Sequence, residues 1–282
     1  MISVIDSHQH LWDLCKLDLA WHREEPYTQL ACDYLPDDYR AEAASIEVVK
    51  TVYMEVDVAP DQHALEAEFI LELCRQDDND LAGAVIGGRP ATAEFEGYIR
   101  QYGDNPYVKG LRQLLFNLPT EYCLQIDFVR GVRLLGNLGL SFDIETPATG
   151  LGAATELADR CPETRLIIDH CGNPNLWDLD DGDWRASMAE LARRDNVAVK
   201  LSGVTTTLER GAWSSVDIAP ATHHLLEVFG SERALYGSDW PVVKINSSLQ
   251  EWYEMMVTII GDYSEAEQRQ IFCENSVVWY DL

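Results

Sequence analysis

The chain has no run of 18 or more apolar residues, the length a helix needs to cross a bilayer. Its first residues, MISVIDSHQH, lack a basic segment followed by an apolar run and a small-residue cleavage site, the pattern of an exported protein, so a cytoplasmic location is expected. Positive charge is scarce. Against 48 Asp+Glu there are only 21 Lys+Arg, a formal net charge of -27. Such a field repels phosphate backbones and anionic headgroups, so no nucleic acid and no membrane surface is expected as a partner. The acidic residues are spread along the chain and read as a solvated surface that names no ligand. The seven cysteines never stand in a Cys-x-x-Cys pair, which argues against a disulfide framework and a cysteine zinc site; they read mostly as small core residues. There is no Gly-x-Ser-x-Gly elbow, phosphate-binding loop or Gly-x-Gly-x-x-Gly fingerprint, which removes the usual serine hydrolase, nucleoside-triphosphate and dinucleotide readings. No linker, low-complexity tract or repeat divides the chain, and residues 1–282 read as one domain.

What is present is enough apolar sequence, 46% of 282 residues, for one large core, and a clear alternation. Apolar runs of strand length occupy 2–5, 48–56, 81–86, 108–113, 141–145, 165–169, 197–202 and 234–237. Helix-like stretches lie between them at 36–47, 61–75, 91–102, 120–138, 151–160, 184–194, 219–229 and 248–261, and a further helix follows a Ser264 cap. Eight β/α units predict an α/β fold, a (β/α)8 TIM barrel with an extra C-terminal helix; a doubly wound open sheet is the rival.

Barrel sites lie at the carboxyl ends of the strands, so the residues that end each apolar run carry the information. The first run leads into Asp6-Ser7-His8-Gln9-His10, where alternate residues of an extended chain point the same way and both imidazoles can reach one ion. Taken alone, two strand-end histidines are more often ordinary hydrogen-bonding groups. The sixth run ends at His170 and the eighth at Asp239, followed by Trp240-Pro241. His8, His10, His170 and Asp239 then converge on one rim with nitrogen and oxygen donors suited to Zn2+ and a place left for water. Glu55 ends the second run and reads as a further metal ligand, a substrate-hydroxyl acceptor or a solvated carboxylate. Lys109 and Arg112 are candidate substrate contacts; being three apart in a regular strand they face opposite ways, and Arg112 is favoured as the inward one. Trp12, Trp21 and Trp240 stand beside these motifs, where a tryptophan face suits a sugar ring, although core packing or loop anchoring is its commoner use.

The segments Asp6-Ser-His-Gln-His10-Leu-Trp12-Asp13, Val108-Lys-Gly-Leu-Arg112, Phe142-Asp143, Ile168-Asp-His170-Cys-Gly-Asn-Pro174, Lys200-Leu-Ser-Gly203 and Tyr236-Gly-Ser-Asp239-Trp-Pro241 together resemble the successive signatures of the amidohydrolase superfamily's lactonase branch. The resemblance runs from residue 4 to about residue 275. It implies a TIM barrel with His8, His10, His170 and Asp239 in the metal or catalytic positions and Asp239 as general base. Where the wider superfamily often carries a bridging lysine or carboxylate after strand four and a histidine after strand five, this chain reads Lys109-Gly-Leu-Arg112 and Phe142-Asp143-Ile-Glu145. That argues against a two-metal centre and for one divalent ion, zinc first, or none. The implied reaction is hydrolysis of a small-molecule lactone, with a sugar aldonolactone preferred because few inward cations await an anionic one. The alternatives are a dicarboxylate lactone, a metal-dependent decarboxylation, or a barrel that binds a ligand without catalysis. A homodimer is the default assembly for a soluble barrel.

Overall fold

In the computed structural model, which describes residues 2–77, 79–179 and 183–282, eight parallel strands pair in sequence order around a barrel. They are β1 (Val4–Gln9), β2 (Val48–Met54), β3 (Leu81–Gly87), β4 (Val108–Leu114), β5 (Ser141–Glu145), β6 (Leu166–Ile168), β7 (Val197–Leu201) and β8 (Ala234–Tyr236). Between and after them run α1 (Pro36–Glu42), α2 (His63–Cys74), α3 (Phe95–Ile99), α4 (Ile126–Asn137), α5 (Leu151–Arg160), α6 (Trp184–Leu191), α7 (Ser215–Phe229), α8 (Leu249–Ile259), α9 (Glu265–Arg269) and α10 (Asn275–Tyr280). The open-sheet alternative falls. Strand β8 returns to β1, where Gln9 bridges Trp240 in parallel and the His8 carbonyl accepts from Asp239 N at 2.9 Å.

Two expected elements shift for identifiable reasons. The first strand continues through polar residues to Gln9 because their side chains are satisfied at the closing seam: buried Asp6 accepts from Ser238 N at 2.8 Å and Tyr39 OH at 2.7 Å, and Ser7 Oγ donates to the Tyr236 carbonyl. Helix α7 begins four residues before its expected start, since Ser214 and Asp217 form a capping box and Pro220 is tolerated inside it. Helix α5 fills its expected stretch of 151–160, while the remaining ones are shorter than their apolar patterns, as in α3, which occupies only Phe95–Ile99 of the stretch 91–102. The Ser264 cap is formed, its side chain accepting from Glu267 N. All seven cysteines are free, and Cys74, Cys123, Cys161 and Cys171 are buried. Among the described residues no helix is long and apolar enough to cross a membrane.

The main core lies between the strands and the surrounding helices. Inside the barrel, Val52, Met54, Val85, Ile167, Ala198 and Leu235 form a second apolar cluster, closed by Trp279 and Tyr280 of α10. The C-terminal segment plugs the amino-terminal mouth: Arg165, at the start of β6, donates to the Val278 carbonyl, and Lys109, at the start of β4, donates to the Asp281 carbonyl at 2.6 Å. This corrects the expectation for Lys109. The β3–β4 register slips between Ala84↔Val108 and Val85↔Gly110, so regular alternation fails and the lysine serves the opposite end of the barrel from the site.

Glu66 of α2 is buried behind β2. Its Oε1 accepts from Tyr53 OH at 3.0 Å and Val56 N at 2.7 Å, while Oε2 has no hydrogen-bond partner among the described residues. Burial, then the neighbouring Glu55 charge, push its carboxyl up to about 8. The folded state therefore holds a proton that the unfolded chain releases near its ordinary value, and stability falls as pH rises between the two. Replacing Glu66 with Gln removes this contribution, of up to about 1.4 kcal/mol per pH unit. Urea unfolding at pH 5 and pH 8 should accordingly show the variant losing less stability than the parent; equal losses would contradict it.

Candidate active site

The upper interior of the barrel is polar and almost dry. His8 of β1, Arg112 of β4, Asp143 of β5, Lys200 of β7 and Asp169, just past β6, are all buried. Two basic side chains organise this layer. Lys200 Nζ lies 2.7 Å from Asp143 Oδ2, 2.9 Å from Asp169 Oδ1 and 3.2 Å from His8 Nδ1. Arg112 donates from Nε to Glu55 Oε1 at 2.7 Å, from Nη2 to the Glu55 carbonyl at 2.8 Å and from Nη1 to Asp169 Oδ2 at 3.2 Å. Burial works against the guanidinium charge, yet Glu55, Asp169 and Glu145 hold it firmly protonated. Burial would likewise raise Asp169, but Lys200, His8 and Arg112 keep it well below the usual carboxylate range. His8 is pushed well down, by burial first and the Lys200 charge second, and is therefore a neutral imidazole.

Above this layer stand the rim residues. His10 takes 2.9 Å from Nδ1 to the Met54 carbonyl and 3.2 Å from Nε2 to Asp239 Oδ1, and His8 Nε2 lies 3.6 Å from the same oxygen. The Met54 carbonyl is an acceptor, so the tautomer with its proton on Nδ1 satisfies that contact and turns the Nε2 lone pair toward Asp239. His170 meets Ser202 Oγ at 2.9 Å through Nδ1 and faces Glu145 Oε2 at 3.6 Å through Nε2. Burial raises the Glu145 carboxyl. Its Oε1 accepts from Asn173 Nδ2, and its Oε2 has no hydrogen-bond partner among the described residues. The backbone is strained here: His170 (φ 52°), Cys171 (φ 57°) and Asp239 (φ 59°) all occupy the left-handed region, at roughly 1–3 kcal/mol each.

His8, His170 and Asp239 present donor atoms all within 4.8 Å of one another, a set that fits one divalent ion with a coordination position left open. Five buried carboxylates (Glu55, Asp143, Glu145, Asp169, Asp239) against Arg112 and Lys200 leave a formal excess of negative charge that favours such an ion. His10 stands outside that set, as the partner of Asp239. Glu55 reaches the site but stands outside that donor set, one oxygen engaged by Arg112 and the other by Asp57 N at 2.8 Å. Neither Trp12 nor Trp240 offers a face to a substrate. Both are fully buried, Trp12 Nε1 donating to the Cys32 carbonyl and Trp240 Nε1 to Glu42, with Tyr34 edge-on to both rings. Half-buried Trp21 likewise anchors its loop through the Val56 carbonyl.

Sequence reasoning passed over Glu145, Asp169, Lys200 and Ser202 as site residues. The signal was available in part: a lysine within the apolar run Val197-Ala-Val-Lys-Leu201, and two carboxylates in Ser141-Phe-Asp-Ile-Glu145, are polar groups in strands that are otherwise buried on both faces.

A family model described as Amidohydrolase matches residues 5–282. An L-fucono-1,5-lactonase of Burkholderia multivorans is 28% identical over 297 residues, covering 98% of this chain and 92% of that one. An L-rhamnono-gamma-lactonase of Scheffersomyces stipitis is 24% identical, covering 99% of each. The crystal structure of an amidohydrolase from Burkholderia multivorans with bound zinc superposes with a TM-score of 0.88 at 25% identity, covering 99% of both chains.

Gly203 sits under His170 at φ +67°, where a Cβ would fall 2.1 Å from the ring's Nδ1. Gly203→Ala should therefore displace His170 from Ser202 and cost roughly 1–3 kcal/mol for the left-handed conformation. Denaturant unfolding and the His170 ring nitrogen resonances report these separately. Unchanged resonances would show that the glycine does not set the position of the histidine.

Proposed function

The chain belongs to the amidohydrolase family, and from that premise we propose that it hydrolyses the ring ester of a neutral sugar aldonolactone. The observation that carries the substrate class is the pairing of the buried cations. Arg112 is bonded to Glu55 and Asp169, and Lys200 to Asp143 and Asp169, so neither is free to receive a substrate carboxylate. One acceptor without a hydrogen-bond partner among the described residues is Glu145 Oε2, which faces His170 Nε2 at 3.6 Å and suits a substrate hydroxyl. The similarity to relatives named as L-fucono- and L-rhamnono-lactonases supports the same reading. A dicarboxylate lactone, or an aromatic acid awaiting decarboxylation, would bring further negative charge into this layer.

In this reading Asp239 is the general base. It takes a proton from water as the water oxygen bonds to the lactone carbonyl carbon, and returns it to the ring oxygen when the C–O bond breaks. His10, fixed by the Met54 carbonyl and 3.2 Å from Asp239 Oδ1, orients that carboxylate. Arg112, 3.4 Å from His8 Nε2, contributes positive charge at the floor of the site as the carbonyl oxygen gains negative charge. A divalent ion held by His8, His170 and Asp239, zinc for preference, would supply Lewis-acid polarisation of the carbonyl when bound.

Acid release from a panel of sugar γ- and δ-lactones, followed by a pH indicator, tests the reaction. Asp239→Asn should lower kcat by about 10²–10⁴ while leaving the unfolding transition in place. Near-parental turnover in this variant would overturn the role of Asp239, and silence of the parent on every lactone would overturn the reaction.

A further inference from the structure

The buried polar layer does not stop at the apolar cluster beneath it. Tyr280 of α10 passes between those residues and donates its hydroxyl to Asp143 Oδ2 at 2.5 Å, the same oxygen that receives Lys200 Nζ at 2.7 Å. The Lys200 ammonium also lies 5.4 Å from the Tyr280 ring centroid. Tyr280, Asp143, Lys200 and His8 are buried to within 1%. An ammonium has three protons, and here Asp143, Asp169 and His8 Nδ1 surround it, so its place beside His8 depends on where the other two partners hold it.

We propose that Tyr280 is a positioning residue for the active site, its hydroxyl fixing Asp143 so that Lys200 is held against His8 from the opposite mouth of the barrel. Without the hydroxyl, Asp143 keeps only Lys200 as a strong partner and draws the ammonium away from His8 Nδ1. The C-terminal helix is then a working part of the site as well as a plug. Its other fastenings, Arg165 to the Val278 carbonyl and Lys109 to the Asp281 carbonyl, hold the tail without touching the column, so the two roles are separable.

The kinetic arm of the test rests on the lactone-hydrolysis reading, and the spectroscopic arm does not. Tyr280→Phe should lower kcat by about tenfold, the scale of a weakened charge-assisted hydrogen bond, leave KM unchanged and move the His8 ring nitrogen resonances. Lys109→Met, which gives up only the side-chain bond to the Asp281 carbonyl, should lower Tm and move neither kcat nor those resonances. Parental kcat and His8 resonances in Tyr280→Phe, or the same changes in Lys109→Met, would overturn the proposal. If Tyr280→Phe fails to fold, 3-fluorotyrosine at position 280 keeps ring and hydroxyl while strengthening the donor; it should shift the His8 resonances, and their constancy would be the contrary result. Should the parent open no lactone, that reading fails while the resonances still decide this one.

Discussion

Two cations buried inside the barrel, Arg112 and Lys200, set the terms for the rest of the structure. A guanidinium and an ammonium removed from water are tolerated only when carboxylates surround them closely, and Glu55, Asp143 and Asp169 do so from three different strands or strand ends. Their positions fix His8 from both sides, through Lys200 at Nδ1 and Arg112 near Nε2. What remains uncompensated at the rim is negative: Asp239 beside His10, and Glu145 with an open oxygen. The same balance of charge favours one divalent cation and underlies the proposal of a neutral, hydroxyl-bearing lactone.

The fold brings this layer together at two places, the closing seam and the amino-terminal mouth. The seam between β8 and β1 closes through Asp239 N to the His8 carbonyl and His10 N to the Trp240 carbonyl, so the bonds that complete the barrel also place the Asp239 carboxylate against both histidines. Asp6, which opens the motif, spends its carboxylate on Ser238 and Tyr39 and braces that seam from outside. At the other mouth the C-terminal helix fills the space that a barrel interior has to fill, and delivers one hydroxyl to the column above it.

The eight-strand order and the convergence of His8, His170 and Asp239 were legible from sequence because buried parallel strands announce themselves as apolar runs and barrel sites follow their ends. Arg112 was legible for the same reason. Lys109 was not, since a one-residue slip in the β3–β4 ladder leaves no mark in composition. Trp12 and Trp240 look alike whether they stack on a sugar or anchor a loop; only their indole N–H partners, the Cys32 carbonyl and Glu42, distinguish the two. Lys200 and Tyr280 lie 80 residues apart in the chain and meet at Asp143, a contact that single-sequence periodicity has no means of expressing.

In the proposed function the paired cations leave the site suited to an uncharged lactone. The most direct measurement compares kcat/KM for a neutral aldonolactone and for the same ring carrying a carboxylate in place of its terminal hydroxymethyl group. Bringing a like charge into this layer costs several kcal/mol, so the neutral lactone should be favoured by at least about a hundredfold. Equal or better turnover of the anionic lactone would contradict that function.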